Sequence, residues 1–212
     1  KISEGSEDEL EFKHLVNTAL DIANPKAVYL EGFIKTKGDD FVIINGVKFT
    51  SATLRKNLQD IERVFVYIAT CGVELDSVKF SHNDFLKEYW WDIIKNHFLE
   101  IARSNLIEYI KKRYMLTKTA IMVPGGGEAG IWDISQQKQL FSLFGNVEKL
   151  IGVRLTETCL MIPNKSVSGI LFPTEKDYHG CKLCRRHNCP GRKAEFDEQL
   201  WNALGIETNL KR

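Results

Sequence analysis

Six consecutive apolar residues, Val64-Phe65-Val66-Tyr67-Ile68-Ala69, constrain the fold of this chain more than any other feature. A run with no polar face suits a buried strand in the middle of a sheet, because a half-exposed strand alternates polar and apolar residues. The stretch before it is also strand-prone: Val28-Tyr29-Leu30, Phe41 to Ile44 and Val47-Lys48-Phe49 are separated by turn residues at Gly38-Asp39-Asp40 and Asn45-Gly46. Asn-Gly between apolar runs is the strongest short hairpin signal. Helices are predicted over about residues 8–24, closed by Asn24-Pro25, over 51–58, and over 84–114, where Leu86, Trp90, Ile93, Ile94, Phe98 and Ile101 share one face. The last is one long helix or two, broken near Ser104-Asn105.

The second half turns on a break. Val123-Pro124-Gly125-Gly126-Gly127-Glu128-Ala129-Gly130 holds neither helix nor strand, since glycine resists both. Asp133-Ile134-Ser135-Gln136 then has the spacing of a capping box and opens a helix through Leu140, Phe141, Leu143 and Phe144. Strands are expected at 153–155, 160–162 and 167–172, followed by an irregular, basic, Cys-rich tail. Hairpin signals without a steady βαβ rhythm point to an α+β fold, with doubly wound α/β as the alternative.

Bulk properties exclude several partners. Lys plus Arg (29) balances Asp plus Glu (28) in 212 residues, so the summed field draws neither nucleic acid nor an anionic membrane. No apolar run approaches the roughly 20 residues needed to cross a bilayer. Five cysteines, three of them crowded at Cys181, Cys184 and Cys189, do not form the even, dispersed set of a disulfide framework. A soluble protein of a reducing cytoplasm is expected.

Two features carry chemistry. The glycine loop reads either as a plain connector or as a ligand loop whose backbone N–H groups approach a polar or anionic molecule. It lacks the Gly-Lys-Ser/Thr of a P-loop and the spacing of a dinucleotide fingerprint. In Cys181-x-x-Cys184-x-x-x-x-Cys189-Pro190, three thiolates supply three corners of a tetrahedron and favour an iron–sulfur cluster or zinc, with unliganded thiols the remaining reading. Cys159 is the first candidate for the fourth corner, ahead of Cys71, His179, His187 or an exogenous ligand. The cations around the cluster, Lys182, Arg185, Arg186, Arg192 and Lys193, read as a solvated face, as an offset to a thiolate-bound centre or as a dock for an acidic electron-carrier protein. Lone histidines at 14, 82 and 97 read as ordinary helix residues, and Trp90-Trp91 as packing.

Leu155-Thr156-Glu157-Thr158, Met161-Ile162-Pro163 and Ser166-Val167-Ser168-Gly169 resemble the signature of the activation, or reactivation, domain of vitamin B12-dependent methionine synthase: Leu-Thr-Glu-Ser, then Met-x-Pro, then Ser-Val-Ser-Gly. Upstream, Pro124-Gly125, Trp132, Gln136 and Phe141 resemble that family's Pro-Gly-Tyr loop and the helix after it. The match is strongest over 124–172, and Thr70-Cys71-Gly72 with Glu74 and Leu75 resembles an element of small stand-alone members. These members also often end in a Cys cluster.

The resemblance implies an activation-like domain over residues 1–175, with a twisted, mainly antiparallel sheet flanked by helices, and a Cys-rich segment over 176–212 packed on it or appended. It implies an accessory role in methionine biosynthesis, the reductive reactivation of a cobalamin-dependent methionine synthase or related corrinoid methyltransferase. In the family, inactive cob(II)alamin takes one electron, usually from flavodoxin, and the cobalt is methylated by S-adenosylmethionine; here a flavodoxin or ferredoxin is the implied donor. Asp177-Tyr178-His179 begins Asp-x-His-x-x-Gly, but Lys182 stands at the glycine, so cobalamin is expected only in trans. Pro124, Gly125, Gly126, Gly127 and Glu128, with Glu157 and Ser168, are the implied small-molecule site; apolar neighbours lead us to expect Glu157 and Ser168 to be buried. The family's Arg-x-x-x-Gly-Tyr loop has Ile121 and Gly126 at its arginine and tyrosine, which removes the usual S-adenosylmethionine contacts. Competing readings are an iron–sulfur electron-transfer module that has lost S-adenosylmethionine, and a zinc-stabilised interaction domain.

Overall fold

In the computed structural model, which describes residues 3–81, 83–127, 131–175, 178–189 and 192–204, the chain opens with helix α1 (Glu7–Ile22). Ser6 caps it by accepting from Glu9 N, and Glu7, Asp8 and Glu9 set negative charge against the positive end of the helix dipole. A three-strand meander follows: β1 (Lys26–Lys37), β2 (Phe41–Ile44) and β3 (Val47–Thr50). Asn45 and Gly46 turn β2 into β3 with φ of 46° and 86°, the backbone that a two-residue hairpin needs. Asn45 also mends the ladder where β1 bulges between Ile34 and Thr36. Its side chain accepts from Phe33 N and donates to Glu31 O, both at 2.9 Å.

Helix α2 (Ala52–Asn57) leads into β4 (Arg63–Thr70), which carries the six-residue apolar run. Its side chains divide by period two: Val64, Val66 and Ile68 enter one core with Phe49, Trp132 and Phe172, while Phe65 and Tyr67 enter another with Ile110 and Leu171. None of the six is more than 1% exposed. After α3 (Val73–Ser77) comes α4 (Phe85–Arg113), which covers the Phe65 and Tyr67 face as one helix of 29 residues, about 44 Å long at 1.5 Å per residue. No break occurs at Ser104; its hydroxyl donates to the Glu100 carbonyl one turn back, which keeps a polar residue compatible with the helix.

The rest of the chain supplies β5 (Thr119–Met122), a 3₁₀ turn at Ile134–Gln136, α5 (Gln137–Ser142), α6 (Val147–Ile151), the small ladder of β6 (Arg154–Leu155) and β7 (Met161–Ile162), β8 (Ser166–Pro173), a second 3₁₀ turn at Gly180–Leu183, and α7 (Glu198–Leu204). The main sheet runs β3-β2-β1-β4-β8-β5 with every neighbouring pair antiparallel, so the fold is α+β. Leu140, Val147 and Ile151 cover the face opposite α4, joined by Leu183 and Trp201 from the Cys-rich segment. No helix among the described residues is long and apolar enough to cross a membrane.

One expected contact is replaced by another. Asp133 does accept from Ser135 N at 2.7 Å, but Gln136 does not return to complete a capping box. Its amide instead reaches edge strand β3, accepting from Thr50 N at 2.8 Å and donating to Thr50 O at 2.5 Å. An edge strand offers unpaired backbone groups, and one carboxamide satisfies a donor and an acceptor together.

Candidate functional site

The glycine loop leaves the sheet where β5 lies against β8. A Cβ at Gly169 would fall 2.8 Å from Met122 O and 2.9 Å from Val123 Cγ1, so a bare backbone in β8 is what lets the end of β5 lie this close. The chain then turns at once. Gly126 N donates to Val123 O at 3.0 Å and Gly125 N to Trp132 O at 2.8 Å, with Gly125 and Gly127 at φ of 74° and 85°. Ser51 fastens the far side of the loop: its hydroxyl donates to Ile131 O at 2.5 Å while accepting from Leu54 N to cap α2.

Among the described residues, three buried polar atoms near this part of the chain have no hydrogen-bond partner: Trp132 Nε1, Gln137 Oε1 and Ser168 Oγ. All belong to the layer on the sheet face opposite α4. Trp132 packs edge-on against Phe49, Ser168 shares its face of β8 with Ile170 and Phe172, and α5, which begins at Gln137, lies against β8. A buried polar group left unpaired typically costs about 1–3 kcal/mol. A donor, an acceptor and a hydroxyl are thus available on one side of the sheet, together with the backbone of the loop.

The Cys-rich segment meets the same loop. A Cβ at Gly127 would stand 2.8 Å from Ile131 Cδ1 and 3.8 and 3.9 Å from the carbonyl oxygens of Gly180 and Leu183. The Gly180–Leu183 turn is started by His179, whose Nδ1 accepts from Cys181 N at 3.1 Å, and is pinned by the fully buried Leu183. Asp197 N closes onto Lys182 O at 2.9 Å, and the Arg185 guanidinium lies 4.7 Å above the Trp201 ring. An open cavity of about 380 Å³ adjoins the turn, walled by Cys184, Arg186, His187, Arg192, Glu195 and Phe196.

The family model for the vitamin B12 dependent methionine synthase activation domain matches residues 82–191. The chain belongs to this family. Among solved structures it is similar to the crystal structure of the MetH reactivation domain bound to AdoHcy, with a TM-score of 0.60 and 18% identity over 84% of this chain and 70% of that one. At that identity the likeness shows the fold. None of the curated proteins matches the chain.

Within this activation domain, the residues singled out from sequence fall into different surroundings. Pro124 is buried at the root of the loop, Gly125 and Gly127 are exposed and Gly126 is half-buried. Glu128 lies outside the described residues, as do His82, Asp177 and Pro190. Ser168 is buried as expected, at 2% exposure. Glu157 is not: it stands exposed in the tight turn between β6 and β7, where Cys159 N bonds Thr156 O, so its apolar neighbours in sequence are not its neighbours in space. Ile121 packs with Leu106, Ile107 and Tyr114 on the α4 side of the sheet. At Gly126 a Cβ would come within 2.2 Å of Val123 Cγ2, so a larger residue there requires Val123 to move.

The thiols also separate. All five cysteines are free. Cys71 is fully buried beneath α1 and α4, where burial pushes its thiol up to about 11 and its S–H donates to Gly72 O. Cys159, buried with φ of 63°, directs its thiol at Ser135 O across 3.9 Å. Cys181, Cys184 and Cys189 are half-exposed. Among the described residues no three His, Cys, Asp or Glu side chains stand as a metal-ligand group. Of the residues with orphaned atoms, Ser168 was singled out from sequence, whereas Trp132 and Gln137 were not proposed as site residues. Trp132 and Ser168 lie inside the motifs, yet their lack of partners follows only from long-range packing.

Proposed function

We propose that this activation domain supports the reductive reactivation of a cobalamin-dependent methionine synthase or related corrinoid protein, acting on a corrinoid that another polypeptide carries. Family membership supports the reading, and the observation that carries it is the glycine loop, bonded to the Trp132 backbone and set close against Gly169 of β8, next in sequence to Ser168, with Trp132 Nε1 and Ser168 Oγ both buried and unpaired. In this reading Pro124 to Glu128 and Ser168 form the small-molecule site, with Glu157, exposed in the β6–β7 turn, as a further member. A flavodoxin or ferredoxin supplies the electron.

S-adenosylmethionine binds this site weakly. Ile121 offers no guanidinium and packs on the α4 face, and Gly126 carries no ring. Loss of one charged hydrogen bond alone weakens binding by about 1.5–3 kcal/mol. That same loss favours, as a second reading, an electron-transfer module without a methyl donor.

The test is a corrinoid methyltransferase stalled as cob(II)alamin, supplied with a reductant and S-adenosylmethionine, with and without this chain. Faster return to the active form, followed in the visible spectrum, is expected. No acceleration with any corrinoid partner overturns the reactivation role, and calorimetric binding of S-adenosylmethionine at micromolar Kd overturns the weak-binding claim. Acceleration that is indifferent to S-adenosylmethionine selects the electron-transfer reading.

A further inference from the structure

Sequence spacing groups the three C-terminal cysteines, and the structure shows what ties their backbones together while their thiols stay apart. Arg192 touches the backbone of each one: its N–H donates to Cys189 O at 3.1 Å, Nη1 to Cys181 O at 3.3 Å and Nη2 to Cys184 O at 2.9 Å. The same guanidinium also donates to Arg186 O at 2.6 Å and Ala194 O at 3.0 Å. A planar fork of five N–H donors is the side chain able to hold several carbonyls at once, and here it closes an irregular segment into a ring.

Two further contacts concern the thiols. Cys184 N donates to Cys181 O at 3.2 Å, which sets those residues at the two ends of one tight turn. Lys193 N lies 3.5 Å from Cys181 Sγ as a donor, a contact that strengthens when the sulfur is a thiolate. Between residues 180 and 196 stand five cations, Lys182, Arg185, Arg186, Arg192 and Lys193, against one anion, Glu195, while the whole chain carries only +1. Such a local excess offsets the charge that three thiolates bring.

We propose that Cys181, Cys184 and Cys189 bind one thiophilic metal centre, an iron–sulfur cluster or zinc, with Arg192 as the positioning residue that gathers their backbone. The fourth coordination position is filled by a ligand from outside the trio. Because the side chains do not stand as a ligand group, the incoming metal draws the thiols together and displaces their protons to solvent. The Cys159 thiol, turned to Ser135 O, stays out. None of this depends on the reactivation reading.

The test is metal and acid-labile sulfide analysis of the full chain, purified anaerobically and also reconstituted with zinc or with iron and sulfide, beside Cys184→Ser, Arg192→Gln and Cys159→Ser. One centre per chain is expected, lost in Cys184→Ser and kept in Cys159→Ser. Arg192→Gln should weaken metal affinity roughly 10- to 100-fold, the usual effect of removing an outer partner that orients ligands. Circular dichroism separates this loss from unfolding; if Arg192→Gln does not fold, Arg192→Lys, which keeps the charge without the fork, is measured in its place. Iron with sulfide and visible absorption identifies a cluster, and colourless protein with stoichiometric zinc identifies the zinc form; either supports the site. Failure to retain metal under both reconstitutions, or metal that survives Cys184→Ser, overturns it. Unchanged affinity in the folded Arg192 variant removes the role assigned to Arg192.

Discussion

Replacing Gln136 tests how the sheet edge is joined to the glycine loop. In Gln136→Ala the Thr50 N–H and C=O both lose their partner, bonds of 2.8 and 2.5 Å, and neither has another side chain to turn to. An unsatisfied buried group costs about 1–3 kcal/mol, and Thr50 is exposed enough for water to recover part of it, so the lower half of that range applies to each bond. The sum is about 2–4 kcal/mol, which in a chain of this size lowers Tm by roughly 4–16 °C. Gln136→Glu keeps an acceptor for Thr50 N but sets a carboxylate against Thr50 O, so it should fall at least as far. Urea unfolding with an unchanged m-value reads the loss, and amide exchange at Thr50 shows whether it is local. A Gln136→Ala protein within 0.5 kcal/mol of the parent, or an undisturbed Gln136→Glu, would refute the argument that this carboxamide secures the edge.

Further expectations follow from three buried groups. The Tyr67 hydroxyl is buried without a hydrogen-bond partner and is pushed up to about 12 by burial, with Arg103 acting on it through charge rather than a well-formed bond, so Tyr67→Phe should change stability by no more than about 1 kcal/mol in urea unfolding. Cys71 should resist Ellman's reagent at pH 8 in the folded protein, while Cys181, Cys184 and Cys189 of metal-free protein react. Because the folded Cys71 thiol lies above its ordinary 9.0, the unfolded chain releases that proton first, so stability should decline as pH climbs from 9 towards 11 in a way that Cys71→Ala lacks. Leu183→Ala, at a fully buried position, should cost about 2–5 kcal/mol and loosen the Cys turn, read as faster proteolysis of the C-terminal segment.

What the sequence revealed was mostly what periodicity encodes. The β4 run, the Asn45-Gly46 hairpin and the long α4 were legible because each signal is repeated or obligatory over neighbouring residues. Helices α3, α6 and α7 were not, since five to seven residues carry too few turns to establish a period, and what holds them is tertiary: Leu75, Ile151 and Trp201 each enter a core built elsewhere. Gln136 misled because its spacing from Asp133 fits a local cap while its partner, Thr50, lies 86 positions away. Glu157 misled for the opposite reason, its apolar neighbours in sequence being carried away from it by a turn. At the candidate site, the loop glycines and the cysteines could be read as letters, whereas the unpaired state of Trp132 and Ser168 and the grip of Arg192 are properties of packing.

Gly127 keeps side chains out of the seam between the glycine loop and the Cys turn. Where two segments of a protein touch through side chains, rotamers absorb a few tenths of an ångström before either backbone feels the other. At this junction a methyl on Gly127 would stand in ordinary contact with the Gly180 and Leu183 carbonyls, at 3.8 and 3.9 Å, but only 2.8 Å from Ile131 Cδ1. A side chain at position 127 therefore has to push Ile131 aside on a backbone of φ 85°, so the seam between segments more than fifty positions apart is kept for a residue without one.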